Sequence, residues 1–198
     1  MARTIAKDHD QKRRQILAAA AHVFATEGFD RASMARLADE CGISKANIYH
    51  YYDSKDALLY DLLRSYLLSV RDRILNLDVA GLDPDARLRH VLRAFLMAYQ
   101  GADDQHRVQI GGLAFLPDDQ QEELRGYQRE LVKYVGAVLS DCAPEVFAQS
   151  PDKLRAATMS VFGMLNWYFM WSPDAGPEAR EDYAALVADM TLKGLPGI

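Results

Sequence analysis

The stretch 33–58, SMARLADECGISKANIYHYYDSKDAL, constrains the fold more than any other part of the chain. Met34, Leu37 and Ala38 recur at helical spacing and give a short helix one apolar stripe. Ser33 stands before it, placed to cap its first N–H groups. Gly42 follows Cys41, where a chain leaving a helix needs a left-handed residue that glycine adopts without strain. Ile43 plugs the corner, Ser44 is a second N-cap, and 45–51 form a second short helix. Two helices joined through such a turn make a helix-turn-helix. The second carries Lys45, Asn47, Tyr49 and His50 on the face that Ile48 leaves outward. These are partners for phosphates and base edges, on an element thin enough for the major groove. Packing alone would not crowd polar and aromatic groups onto one short face.

Residues 13–63 resemble the DNA-binding domain of the TetR family of one-component repressors. The likeness rests on Gly28-Phe29 after an amphipathic helix, Ser33, Leu37-Ala38, Cys41-Gly42-Ile43-Ser44, Ile48-Tyr49, Tyr51-Tyr52, Ser54-Lys55-Asp56 and Leu58. Ala46 and Asn47 stand where many members have Gly or Pro and then Ser or Thr, a departure that should alter base preference. Tyr52 replaces the usual Phe. The expected partner is a double-stranded DNA operator. Lys45, Asn47 and His50 are expected at base edges, with Ala46 on the same helix. Ser33, Ser44, Tyr49 and Lys55 are expected on phosphates.

The net charge of −5 sits poorly with a DNA binder until the chain is divided. Residues 1–56 hold nine Lys/Arg and eight Asp/Glu, a balance of +1, which leaves −6 for the remainder. A positive face must therefore come from arrangement, and the acidic remainder should confine DNA to the N-terminal module. With 198 residues, 49% hydrophobic and 26% charged, the chain has material for a real core and is not disordered in composition. No apolar run is long enough for a membrane span and the start lacks a signal-peptide core, so a cytoplasmic protein without a membrane partner is expected. Cys41 and Cys142 lack metal-ligand spacing and read as reduced core thiols.

Apolar periodicity predicts a first helix over 10–26, after a mobile arm at 1–9, with Asp8 and Asp10 at its positive end. A fourth helix is predicted over 54–77 and others over 85–99, 106–113, 118–142, 151–171 and 177–194, with 144–151 as a loop. No stretch alternates like a strand. The expected architecture is all-α: an N-terminal three-helix helix-turn-helix domain at 1–56, then a helical ligand-binding and dimerisation domain at 57–198, about nine helices together.

The helix 151–171 is apolar nearly all round, so both faces need cover, from its own domain, a subunit partner or a ligand. Its aromatic stripe reads more readily as core than as a ligand box. Two features favour a ligand: Asn166 needs a polar partner inside an apolar run, and His106-Arg107 open a helix softened by Gly111-Gly112. Gly163, Leu165, Asn166, Trp167, Trp171, Asp174, Gly176, Pro177, Tyr183 and Gly194 resemble the C-terminal pattern of TetR regulators that sense acyl-CoA thioesters, the repressors of phenylacetate degradation above all. That resemblance implies no cofactor but an acyl-CoA effector, phenylacetyl-CoA foremost, which releases the operator. Its acyl group is expected among Phe95, Tyr99, His106, Phe115, Asn166, Trp167 and Trp171. A homodimer through the last two helices is expected, since one recognition helix reads too few bases. Alternatives are a regulator of fatty-acid metabolism or efflux, and a helical adaptor that binds protein alone. No catalytic or metal-binding frame emerges among the histidines, cysteines and acids.

Overall fold

A computed structural model describes residues 2–148 and 150–197, with side chains from His9 onward. Among the described residues there are ten α-helices, two short 3-10 turns and no strand. They are α1 (Ala2–Glu27), α2 (Met34–Glu40), α3 (Lys45–Tyr51), α4 (Lys55–Leu75) and α5 (Pro84–Tyr99). Then follow α6 (Asp103–Gly112), α7 (Asp118–Cys142), α8 (Pro144–Phe147), α9 (Pro151–Trp171) and α10 (Pro177–Gly194). The all-α class holds, with one helix more than expected. The extra one is α8, a single turn opened by Pro144 inside the segment read as a loop. The first helix also begins earlier than expected. The arm carries Ala, Arg and Lys without Gly or Pro, so nothing breaks a helix there, and Asp8 and Asp10 fall beyond its first turn.

The chain forms two compact units, one through Leu67 together with Asp104–Leu124, the other Leu68–Asp103 with the remainder from Arg125. This differs from a division at residue 56, and the reason is specific pairing. Asp61 of α4 takes hydrogen bonds from Arg13 and Tyr52, and Tyr66 hydroxyl lies 2.7 Å from His106 Nδ1, both residues buried. A Cβ on Gly112 would sit 3.3 Å from Leu63 and 3.5 Å from Leu59, so this glycine admits close approach of α6 to α4. Ile16, Val23, Phe24, Leu37, Ile48, Leu58 and Leu62 fill the core of this unit.

In the second unit α5 packs against α9 and α10. Phe95, fully buried, meets Phe162 edge-on with centroids 5.5 Å apart. Arg180 is 1% exposed, and its guanidinium donates to both Asp103 oxygens at 3.0 and 3.3 Å and to the Ala175 carbonyl at 2.9 Å. Burial of that charge is tolerable only because the pairing is so complete. Both cysteines are free and half-buried; burial raises the Cys41 thiol pKa and pushes that of Cys142 up to about 11.

Candidate nucleic-acid interface

Each end of the α2–α3 pair is closed by its own residues. Ser33 Oγ accepts from the Arg36 N–H at 3.2 Å, and Ser44 Oγ from the Asn47 N–H at 3.1 Å. Gly42 takes a φ of +63°, its N–H donating to the Asp39 carbonyl and that of Ile43 to the Ala38 carbonyl, each at 3.0 Å. That pair of bonds is a Schellman motif, which satisfies the last carbonyls of α2 and turns the chain into α3. Ile43 is half-buried at the corner and Ile48 fully buried, an anchor worth roughly 2 kcal/mol by area.

Lys45, Ala46, Asn47, Tyr49 and His50 all face solvent on α3. Tyr49 is 43% exposed, so its hydroxyl can donate outward. Ser33 and Ser44 use oxygen lone pairs for capping, which leaves each O–H as a donor. Lys55 has a different setting from the one expected. Its ammonium donates to the Phe29 carbonyl at 2.7 Å and lies 4.2 Å from the Phe29 ring centroid, clamping the turn between α1 and α2. Carbonyls after a helix carry partial negative charge that draws a cation.

Five contacts brace this face, and only the i,i+4 pair of Arg36 with Glu40 had a local signal in the sequence. Arg36 donates to Glu27 on α1 at 2.7 Å and to Glu40 at 2.9 Å. His9 stacks on Tyr51 with centroids 4.9 Å apart. Arg13 Nε donates to Asp61 at 2.9 Å, and Tyr52 hydroxyl donates to the same carboxylate at 2.5 Å. Burial would raise the Asp61 pKa, but hydrogen bonds from Arg13, then Tyr52, outweigh it and hold the carboxyl below its usual range. Burial, then the bond to Asp61, raises the Tyr52 phenol. Tyr52 thus uses its hydroxyl, absent from phenylalanine, to join α3 to α4.

The residues expected around an effector fall into separate settings. In the second unit Phe95 and Tyr99 are buried, their centroids 6.1 Å apart, and Tyr99 hydroxyl donates to Asn166 Oδ1 at 2.9 Å. Asn166 therefore has its polar partner, and burial raises the Tyr99 phenol. Trp167 and Trp171, expected on a cavity wall, are 55% and 59% exposed. They lie on the side of α9 turned away from its packing residues Val161, Phe162, Leu165 and Phe169. His106 and Phe115 belong to the first unit. There His106 pairs with Tyr66, and Phe115 meets Phe29 at 4.8 Å, on a cleft beside the end of α1.

Residues 16–62 match the family described as bacterial regulatory proteins, tetR family, and residues 81–195 match the tetracyclin repressor-like C-terminal domain. A TetR-family transcriptional regulator from Bordetella parapertussis 12822 superimposes with a TM-score of 0.85 at 32% identity, over 94% of this chain and 96% of that one.

The chain belongs to the TetR family.

Among curated relatives of this TetR-family regulator, BetI of Rhizobium meliloti is 29% identical over 90% of this chain and 86% of its own. The chain spans only 28% of the length of YuxN from Bacillus subtilis and 45% of KstR2 from Rhodococcus jostii. AibR, solved with isovaleryl coenzyme A and operator DNA, shares the fold with a TM-score of 0.73 at 21% identity, over 90% of this chain and 97% of that one. No helix among the described residues is long and apolar enough to cross a membrane.

Proposed function

We propose that this regulator is a cytoplasmic, ligand-responsive repressor that binds a near-palindromic operator as a homodimer and is released by an acyl-CoA, phenylacetyl-CoA foremost. The single observation that carries the DNA half is the solvent-facing set on α3 over a buried Ile48. In this reading residues 1–56 bind DNA and 57–198 hold the effector and the dimer contact. Lys45, Asn47 and His50 reach base edges, while Ser33, Ser44 and Tyr49 donate to phosphates. Lys55 sets the α1–α2 turn and meets phosphate only beside that role.

The dimer half is supported by an uncovered apolar stripe. Met159, Trp167 and Met170 on α9 and Leu186 and Met190 on α10 are each at least 45% exposed, and Gly163 lies among them with open space where a Cβ would be. Surface of that kind is characteristic of association sites. For the effector, the buried Tyr99 and half-buried Asn166 beside Phe95 offer a polar point in apolar surroundings for an acyl carbonyl. AibR, of the same fold, holds an acyl-CoA.

The test is a titration of the operator complex, on a duplex selected from a random pool, with phenylacetyl-CoA, phenylacetate, CoA and long-chain acyl-CoAs. Release is expected with phenylacetyl-CoA, and Asn47→Ala should change base preference by about 1–3 kcal/mol. Release by long-chain forms alone would move the effector to fatty-acid control. Release by none would remove the effector half, and unchanged preference in Asn47→Ala would remove the base assignment.

A further inference from the structure

We infer that Asp61 on α4, held in line by Arg13 and Ser65, is a positioning residue for α3: through the Tyr52 hydroxyl it sets the angle of the outward face, and with it the sequence selectivity of the DNA module. The assignment rests on the DNA half of the function proposed above. All four residues lie in the first unit.

The helix α3 has few fixings of its own. It has seven residues, a serine cap at its start and Ile48 as its buried side chain, and it packs on α2. Apolar burial is non-directional, so Ile48 holds the helix down without fixing its rotation about that anchor. A directional bond does that at the other end. Tyr52 follows the last turn, its N–H donating to the Ile48 carbonyl at 3.0 Å, and its side chain is buried. Its hydroxyl donates to Asp61 Oδ2 at 2.5 Å.

The carboxylate is itself aimed. Arg13 Nε donates to Oδ2 at 2.9 Å, and Arg13 Nη2 donates to Oδ1. Such a bidentate pair fixes the plane of a carboxylate. Ser65 Oγ donates to Oδ1 at 3.2 Å and accepts from Arg13 Nη2 at 3.0 Å, which closes a ring. Each Asp61 oxygen then takes two donors, the ordinary capacity of its lone pairs. Tyr52 fills the last place and has no second position on Asp61 to slide to. The consequence falls on base reading, because bidentate base contacts need a set geometry while phosphate contacts carry no sequence information. If α3 samples several angles, only the fraction at the right one reads the operator, and apparent affinity falls by that fraction.

The test compares the full parent chain, Tyr52→Phe, Asp61→Ala and the double variant. Each is measured on an operator that the parent selects from a random pool and on a scrambled duplex. Circular dichroism sets a temperature at which every variant is folded. Tyr52→Phe keeps the ring and removes the bond. It should weaken operator binding about tenfold, the worth of a hydrogen bond to a charged group. The scrambled duplex should change by less than about twofold, since phosphates bind without regard to sequence. The double variant should bind the operator no more weakly than Asp61→Ala, because the two side chains act as one. Equal weakening on both duplexes would overturn the positioning role, as lost folding would produce it. So would an unchanged ratio of operator to scrambled binding in Tyr52→Phe, or losses that multiply in the double variant. A parent chain that selects no sequence from the pool would overturn the DNA reading and the positioning role together.

Discussion

The α2–α3 pair and the α9–α10 pair show opposite chemistry outward. The first two helices have seven residues each, with serine caps, a glycine turn and a polar outer face. The last two have 21 and 18 residues, no side-chain cap at Ser150 or Gly176, and an outer stripe of Met, Trp and Leu. Short helices cannot nucleate alone, so α2 and α3 depend on local hydrogen bonds and on one or two buried side chains. The long helices depend on burial, and they carry more apolar surface than a single chain covers. One pair is closed as a folded element with a polar outer face; the other leaves an apolar stripe exposed.

The largest expected effect lies in the long pair. Asp103→Ala would leave the buried Arg180 guanidinium without its carboxylate, at a cost of about 3–5 kcal/mol in urea unfolding. A loss below 1 kcal/mol would mean that α10 does not depend on this pair. In the short pair, Ser44→Ala should cost about 1 kcal/mol, because one cap is a large share of what holds a seven-residue helix. An unchanged melting temperature would show that tertiary packing alone positions α3.

A smaller effect is expected from acid. The folded-state pKa of Asp61 lies below its ordinary 3.8, so its contribution is fully present above that value. It is lost as pH falls through the folded value. Asp61→Asn should therefore lower stability near neutrality and narrow its deficit against the parent chain below about pH 4. A deficit independent of pH would show that the Tyr52 and Arg13 bonds, and not the charge, are what matter.

The smallest stability effect belongs to Trp167→Ser combined with Met190→Ser. Both side chains are more than half exposed, so chain stability should move by no more than about 0.5 kcal/mol per site. Sedimentation should nevertheless shift toward monomer at micromolar concentration. A dimer that persists unchanged would place the partner contact elsewhere.

Wherever the causes lie within a few residues, the sequence was readable. Ser33 and Ser44 cap the nitrogens three residues on, and Gly42 takes the left-handed turn. Helices α7, α9 and α10 begin and end where apolar periodicity and proline put them. The one-turn helix at Pro144 and the helical start at Ala2 escaped because each is too short or too polar to carry a period.

The sequence by itself determined the all-α class, the helix-turn-helix and its outward residues, since a cap, a turn and a stripe are local interactions. Only the tertiary structure decided that Arg13 and Tyr52 meet at Asp61, that Lys55 clamps Phe29, and that Arg180 finds Asp103. It also decided that Phe115 meets Phe29 while the two tryptophans face outward. Such pairs join residues up to 86 positions apart, as Phe29 and Phe115 do. Spacing along the chain carries no record of them, because long-range partners are chosen by how the helices pack.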